Sequence, residues 1–330
     1  MLKSLQKKIY GLNLSSQVTN QSVYRNRRHL LKLGLSSLAL TNIPGSMAKE
    51  KNSEEIRFKT LKNIDHAKSQ YILKPLTDYS DITSYNNFYE FGTRKSDPSK
   101  YAPQYLKVDP WSIKISGLVK NQIKIDLDKL RKISPIQERV YRLRCVEGWS
   151  MVIPWLGYSL EKILEVAQPL GSAKFVEFVT LSDPNQMPAV GGFNPILNWP
   201  YREALRIDEA YNPLTLLTFG LYGKELPPQN GAPLRVIVPW KYGFKSPKSI
   251  VEIRFLEKMP LTSWVESAPN EYGFFSNVNP NVPHRRWSQK TERRIGEGGL
   301  FTKRHKTLIY NGYADEVSNM YTGMDLKRFF

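Results

Sequence analysis

Apolar and polar positions alternate along W-S-I-K-I-S-G-L-V-K-N-Q-I-K-I-D-L, residues 111–127, on both sides of a turn near Lys120-Asn121, which predicts a β-hairpin. Asp126 to Lys132 reads as a short helix start. Val140 to Val146 is strand-like, and Leu160, Ile163, Leu164 and Ala167 share one face of a helix predicted over 159–168. Further strands are predicted at 174–181, 215–219, 234–239 and 249–257, separated by turns rich in Pro and Gly. Residues 81–100 hold no clean period and read as loop, while the polar stretch 49–80, with Lys49, Glu50, Lys51, Glu54 and Glu55, reads as an extended arm. Short helices scattered among many strands lack the βαβ rhythm of a doubly wound sheet, and there is neither a G-x-G-x-x-G nor a P-loop. No internal repeat or Gly/Ser-rich linker divides the chain. The pattern predicts an α+β fold, with one β-rich domain over 81–330.

The first 48 residues follow a different logic. Arg25, Arg27 and Arg28 lead into an apolar run from Leu30 to Leu40, then Pro44 and the small-residue end Ser46-Met47-Ala48. That is the layout of a cleavable export signal, too short for a permanent membrane anchor. Arg27-Arg28 followed by Leu30-Leu31-Lys32 matches the twin-arginine type, with Asn26 where Ser or Thr is usual. The mildly hydrophobic run, interrupted by Gly34, Ser36 and Ser37, favours that route, which carries proteins already folded, commonly around a cofactor. The mature protein is expected in the periplasm.

Composition then narrows the chemistry. The 330 residues are 41% hydrophobic and 24% charged, which excludes a disordered or fibrous chain. The formal charge of +18 is partly a leader effect, because Lys3, Lys7, Lys8, Arg25, Arg27, Arg28 and Lys32 lie in 1–48 without one acidic residue. A single cysteine, Cys145, rules out an internal disulfide and a cluster of cysteine ligands. An exported protein that keeps one thiol in an oxidising compartment has to shield it, and ligation to a metal would do so. Arg142, Arg144 and Glu147 crowd Cys145, and arginines beside a thiol favour the thiolate. With only His66, His284 and His305 after the leader, any metal there would take most of its remaining ligands from a cofactor. A second constellation, residues 227–250, combines Gly231 and Gly243 with Arg235, Lys241, Lys245 and Lys248, which reads as a cradle for an anion such as phosphate. Basic-aromatic repeats that would favour nucleic acid are missing.

Five blocks belong together: S-Y-N-N-F-Y-E-F-G at 84–92, R-L-R-C-V-E-G-W-S-M-V-I-P-W at 142–155, and P-P-Q-N-G-A-P-L-R-V-I-V-P-W-K-Y-G-F-K at 227–245, with E-Y-G-F-F-S-N-V-N-P at 271–280 and R-W-S-Q-x-T-E-R at 286–293. They resemble the periplasmic methionine-sulfoxide reductases of the sulfite oxidase superfamily, in register from the leader to the C-terminus apart from small insertions. The resemblance implies a mixed, β-rich, single molybdopterin-binding domain and a molybdenum–molybdopterin cofactor, with Cys145 as the protein thiolate on molybdenum. It implies that Asn86, Tyr89 and Glu90 form the first pterin-contacting block and that Thr180 is a further contact. Asn230, Arg235 and the Ser246-Pro247-Lys248 stretch would hold the pterin and its phosphate. Ser246-Pro247 stands where the family has Gly-Ile, which puts a backbone-amide contact at Pro247 in question because proline has no N–H.

Near the metal, Asn87 and Glu147 stand where sulfite oxidases carry other groups, which favours sulfoxide reduction over sulfite oxidation. Glu147 would relay a proton if burial raised its carboxyl pKa. By the same resemblance, electrons come from a haem-bearing membrane subunit, named MsrQ in that family, and the substrates are oxidised methionines of periplasmic proteins. The chain is expected as a monomer or a heterodimer with that membrane subunit. The competing readings are a related molybdoenzyme acting on sulfite or on small S- or N-oxides, and a non-enzymatic binder of anionic polymers.

Overall fold

The expected hairpin is present. In a computed structural model, which describes residues 59–61, 64, 75–193, 195–298 and 303–330, β1 (Ser112–Gly117) pairs antiparallel with β2 (Ile123–Asp126), with Ile113 opposite Ile125. Asp126 then caps a one-turn helix, Leu127–Arg131, its carboxylate accepting from the Lys129 N–H at 2.9 Å. The export-signal reading of 1–48 and most of the arm reading of 49–80 fall outside the described residues. Of the arm, Lys59–Leu61 lies alongside the edge of a short strand near Lys224, with Leu61 N–H donating to the Gly223 carbonyl.

Ten further strands complete two sheets: β3 (Gln137–Arg144), β4 (Trp149–Ser159), β5 (Phe175–Thr180), β6 (Arg202–Arg206), β7 (Leu216–Leu221), β8 (Lys224–Glu225), β9 (Arg235–Ile237), β10 (Ile250–Leu256), β11 (Thr291–Arg294) and β12 (Arg304–Lys306). One sheet runs β2-β1-β10-β5-β6, with β1 and β10 parallel. The other runs β12-β11-β4-β7-β8, with β3 added on β4 and β9 on β7. Ile113, Ile115, Phe178 and Phe255 from the first sheet and Met151, Ile153, Trp155 and Leu217 from the second share one hydrophobic core. Mixed pairing and short helices give the α+β architecture that the sequence pattern predicts.

Two departures are informative. Residues 81–100, read as loop, hold parts of two helices, Tyr79–Ser84 and Asp97–Tyr105, with a 3₁₀ turn at Tyr89–Phe91 between them. Each element is too short to print a helical period, so its buried Ile82, Phe88, Phe91 and Ala102 look scattered in sequence. Strand β4 was not predicted because all eleven of its residues are buried, which erases the alternation expected of a strand with one wet face.

The basic segment 227–250 is tied into the interior by charge. Lys241 Nζ meets Glu209 Oε1 at 2.5 Å and also donates to the Phe275 carbonyl and Asn277 Oδ1. Lys245 Nζ meets Glu203 Oε2 at 2.6 Å, and all four side chains are fully buried. Both lysines are therefore occupied, which corrects their reading as anion ligands. Of the two glycines in the segment, Gly231 takes a left-handed backbone, at φ +96°, and Gly243 does not. Removing one partner of such a pair strands a buried charge, so Glu203→Ala is expected to cost about 3–5 kcal/mol in denaturant unfolding. The double variant Glu203→Leu with Lys245→Met should return to within about 1–2 kcal/mol of the wild type. Equal losses in both would show that the packing and not the charge pair carries the stability.

Candidate active site

Cys145 occupies the turn between β3 and β4. Its N–H donates to the Trp149 carbonyl at 2.9 Å, the Gly148 N–H returns a bond to the Cys145 carbonyl at 3.1 Å, and Gly148 takes φ +80°. The turn is pinned from outside: Trp287 Nε1 and Gln289 Nε2 each donate to the Val146 carbonyl at 2.7 Å, and the Arg293 N–H donates to the Gly148 carbonyl. Strand β11 pairs in parallel with the start of β4, Arg293 opposite Trp149, so the C-terminal block 286–293 acts as the buttress of the cysteine turn.

The thiol is buried and accepts two weak hydrogen bonds, from the Glu147 N–H at 3.4 Å and from Asn87 Nδ2 at 3.5 Å. Burial pushes it up to about 12, and the Glu147 charge adds to the rise. The expected arginine activation is weak: Arg144's charge draws the thiol down least among its neighbours and burial outweighs it. Arg144 turns into the core to Glu292 at 2.9 Å and Gln289 at 2.8 Å, and Arg142 reaches the Asn311 carbonyl at 3.2 Å. A thiolate at Cys145 therefore calls for a bound cation, because a coordinating metal deprotonates a thiol outright.

Lys95 joins the two other residues of this end. Its ammonium donates to Asn87 Oδ1 at 2.5 Å and pairs with Glu147 Oε2 at 2.8 Å, while Trp149 Nε1 donates to the same carboxylate. Burial alone would raise the Glu147 carboxyl, but the hydrogen bonds and charge of Lys95 and Trp149 outweigh it and hold the group below the usual carboxylate range. Glu147 is thus ionised, which corrects its reading as an acid raised by burial. Tyr89 and Tyr272 also face this end, and burial pushes both phenols up, Tyr272 to about 12.

The cavity behind Cys145 encloses about 940 Å³ of empty space, partly open to solvent. Nine of the predicted site residues line it together: Asn86, Asn87, Tyr89, Glu90, Cys145, Glu147, Asn230, Arg235 and Lys248. Asn86 Nδ2 and Asn230 Nδ2 both donate to the Ile82 carbonyl, at 2.8 and 2.9 Å. Arg235 bonds only to carbonyls, of Asn230 at 2.9 Å and Ser246 at 3.3 Å, and its guanidinium lies 5.0 Å from the Trp155 ring centre. Lys248 lies over the Phe88 ring, its stem against Gly231, where φ is +96° and a Cβ would come within 2.7 Å of it. Among the described residues neither Arg235 nor Lys248 has a carboxylate within ion-pair distance, and burial lowers the pKa of both. Glu90, buried nearby, offsets part of Lys248's shift and is itself raised by burial.

Three predicted contacts sit in the wall and do not line the cavity. Thr180 is buried, and its hydroxyl has no hydrogen-bond partner among the described residues. Ser246 and Pro247 hold β9: their carbonyls accept from Arg235 Nη2 and the Val236 N–H. The missing N–H of Pro247 is thus no loss at the cavity. Four buried polar atoms of the lining residues have no hydrogen-bond partner among the described residues: Asn86 Oδ1, Asn230 Oδ1, Arg235 Nε and Trp155 Nε1. Orphaned donors and acceptors beside buried Arg235 and half-buried Lys248 fit a ligand that is polar and anionic at one end.

Residues 100–264 match the family described as an oxidoreductase molybdopterin binding domain. The chain is 54% identical over 318 residues to a protein-methionine-sulfoxide reductase catalytic subunit MsrP of Burkholderia mallei, covering 96% of this chain and 95% of that protein. It is 56% identical over 324 residues to the MsrP of Xanthomonas axonopodis pv. citri, covering 97% and 98%. The chain belongs to the MsrP family. A likeness to the sulfane dehydrogenase SoxCD of Paracoccus pantotrophus, with a TM-score of 0.41 and 12% identity over 76% of this chain and 64% of that one, is too weak to bear on the argument.

Membership in the MsrP family makes the chain a molybdopterin-binding oxidoreductase, and the donor set of this cavity suits such a ligand: cations for a phosphate, amide oxygens for a pterin edge, and one thiol at the mouth. Lys95, Trp287 and Gln289 were not singled out from the sequence. Lys95 follows Gly92 in a stretch without period, and the other two lie in a motif whose spacing gives no hint that it folds back on Val146. Replacing both Arg235 and Lys248 by Met is expected to cut retained pterin at least about tenfold, read as pterin fluorescence after release. Unfolding stability should hold or rise, since a buried and a half-buried cation without ion-pair partners among the described residues are removed. Full pterin content in the double variant would refute the anion cradle.

Proposed function

We propose that this chain is the catalytic subunit of a molybdenum-dependent reductase of methionine sulfoxide residues in periplasmic proteins. The observation that carries the reading is a lone cysteine, fixed in a hairpin turn, at a cavity lined by buried Arg235 and half-buried Lys248, neither with a carboxylate within ion-pair distance among the described residues, and by amide oxygens unpaired among those residues. Cys145 would ligate molybdenum, and Arg235, Lys248, Asn86 and Asn230 would hold the pterin and its phosphate. When bound, the cofactor supplies a metal able to take an oxygen atom from a sulfoxide and to pass on two electrons.

The residues around it then divide the remaining work. Asn87 Nδ2, held by Lys95, donates to Sγ and fixes the thiolate's lone pairs. Tyr89 and Tyr272 remain phenols at neutral pH, so either can donate to a sulfoxide oxygen. Trp264 lies 4.8 Å from Tyr272 and 5.3 Å from Tyr89, centre to centre, giving an aromatic wall for the methyl–sulfur end. Glu147, ionised between Lys95 and Trp149, takes up a proton from solvent and delivers it to the oxygen that leaves as water. The balance is sulfoxide plus two electrons and two protons giving thioether and water.

The Glu147–Lys95 pair is neutral in sum, which suits a neutral sulfoxide better than a sulfite anion. Electrons are assigned to a haem-bearing membrane partner, MsrQ, with the chain acting as a monomer or bound to that subunit. The arginine pair at 27–28 supports folded export to the periplasm. Protein exported from a cofactor-competent host should carry close to one molybdenum per chain and reduce methionine sulfoxide with reduced viologen, without oxidising sulfite. Cys145→Ser should lose more than about a hundredfold in kcat/KM, with altered or absent metal. Folded, metal-free wild-type protein would overturn the assignment, and sulfite turnover would move it to the sulfite-oxidising branch.

A further inference from the structure

A second cavity, with about 690 Å³ of empty space partly open to solvent, adjoins the first. Val146 and Phe244 line both, so the residue that follows Cys145 forms part of the wall between them. The first cavity is ringed by aromatic side chains near Cys145; the second is polar. Asn277 lines it, is 7% exposed, and gives its Oδ1 to Lys241 at 2.9 Å, while its Nδ2 has no hydrogen-bond partner among the described residues. A buried amide donor left open is a place for an acceptor.

The charge around that donor is one-sided. Glu271, the acidic side chain of this wall, is held by Arg286 at 2.7 Å and lies 3.1 Å from His284. Arg285 and Lys327, also on the wall and exposed, make no ion pair within 4 Å among the described residues. One open amide donor with Arg285 and Lys327 on the same wall, Lys327 also beside Asp325, is a donor set for a carboxylate. We propose that this cavity is a subsite for an acidic side chain of the polypeptide substrate, one that flanks the oxidised methionine entering the neighbouring cavity. It rests on the reductase reading above and adds selectivity: sulfoxides flanked by Asp or Glu are reduced in preference to those flanked by Lys or Arg.

The test uses holoenzyme and reduced viologen, with free methionine sulfoxide and two peptides that differ only in Asp or Lys on both sides of the sulfoxide. Turnover of free methionine sulfoxide checks the reductase reading by itself; its absence overturns that reading and the subsite with it. Given that turnover, kcat/KM is expected to be about fivefold to tenfold higher for the Asp peptide at low salt, chiefly through KM, and to converge as salt rises. Lys327→Glu should abolish or reverse the preference, and Asn277→Leu should weaken it. Lys327 is exposed, so its variant stays informative even where loss of the Asn277–Lys241 bond impairs folding. Equal kcat/KM for the two peptides, or a preference that Lys327→Glu leaves intact, overturns the subsite.

Discussion

Arg144 is the residue on which the geometry of the site depends. Its guanidinium is fully buried and has to be satisfied inside the protein, and the partners come from far along the chain: Glu292 on β11, Gln289 before it and Thr307 after β12, together with the Cys145 carbonyl. A buried guanidinium with one missing partner is strongly unfavourable, so these groups assemble together or not at all. Because Gln289 also donates to the Val146 carbonyl, the same network that neutralises Arg144 sets the path of the backbone on either side of the cysteine. The thiol's position is in this sense a consequence of charge burial some 150 residues downstream in sequence.

The other buried cations divide in an instructive way. Lys241 and Lys245 have carboxylates at 2.5 and 2.6 Å and belong to the fold. Arg235, buried, and Lys248, half-buried, come from the same basic segment but lean on backbone carbonyls and aromatic rings. Polar interiors are normally satisfied, so the distinction between compensated and uncompensated charge separates structural lysines from ligand-facing ones more sharply than position does. Counting basic residues in the segment could not make that separation, which is why four cations were read there as one cradle and only two line the cavity.

Much of the architecture was legible because strands such as β1 and β10 keep a wetter face, while β5 and β7, buried almost throughout, show as short apolar runs bounded by turns; β1, β2, β5, β7 and β10 fall within a few residues of their expected spans. Strand β4 was not, since burial on both faces removes the period. The site was legible in a different way. Specific motifs named nine cavity residues, but motif spacing says nothing about which way a side chain turns. Arg142 and Arg144 flank or adjoin the cysteine in sequence and point away from it, and Lys95, fifty residues upstream, arrives in their place.

That exchange of cations has a chemical consequence. An arginine next to the thiol would leave a net positive charge at the reacting end and favour anionic substrates. Lys95 instead arrives already paired with Glu147, so the end near Cys145 carries a fixed dipole with little net charge, while the open positive charge stays with Arg235 and Lys248. A sulfoxide is neutral with a strongly polar S–O bond, and an environment of phenol donors, aromatic faces and a neutral ion pair solvates it without competing for a free anion. On the proposed function, a preference for sulfoxide over sulfite follows from the carboxylate paired with Lys95 beside the thiol, while Arg235 and Lys248 have no carboxylate within ion-pair distance among the described residues.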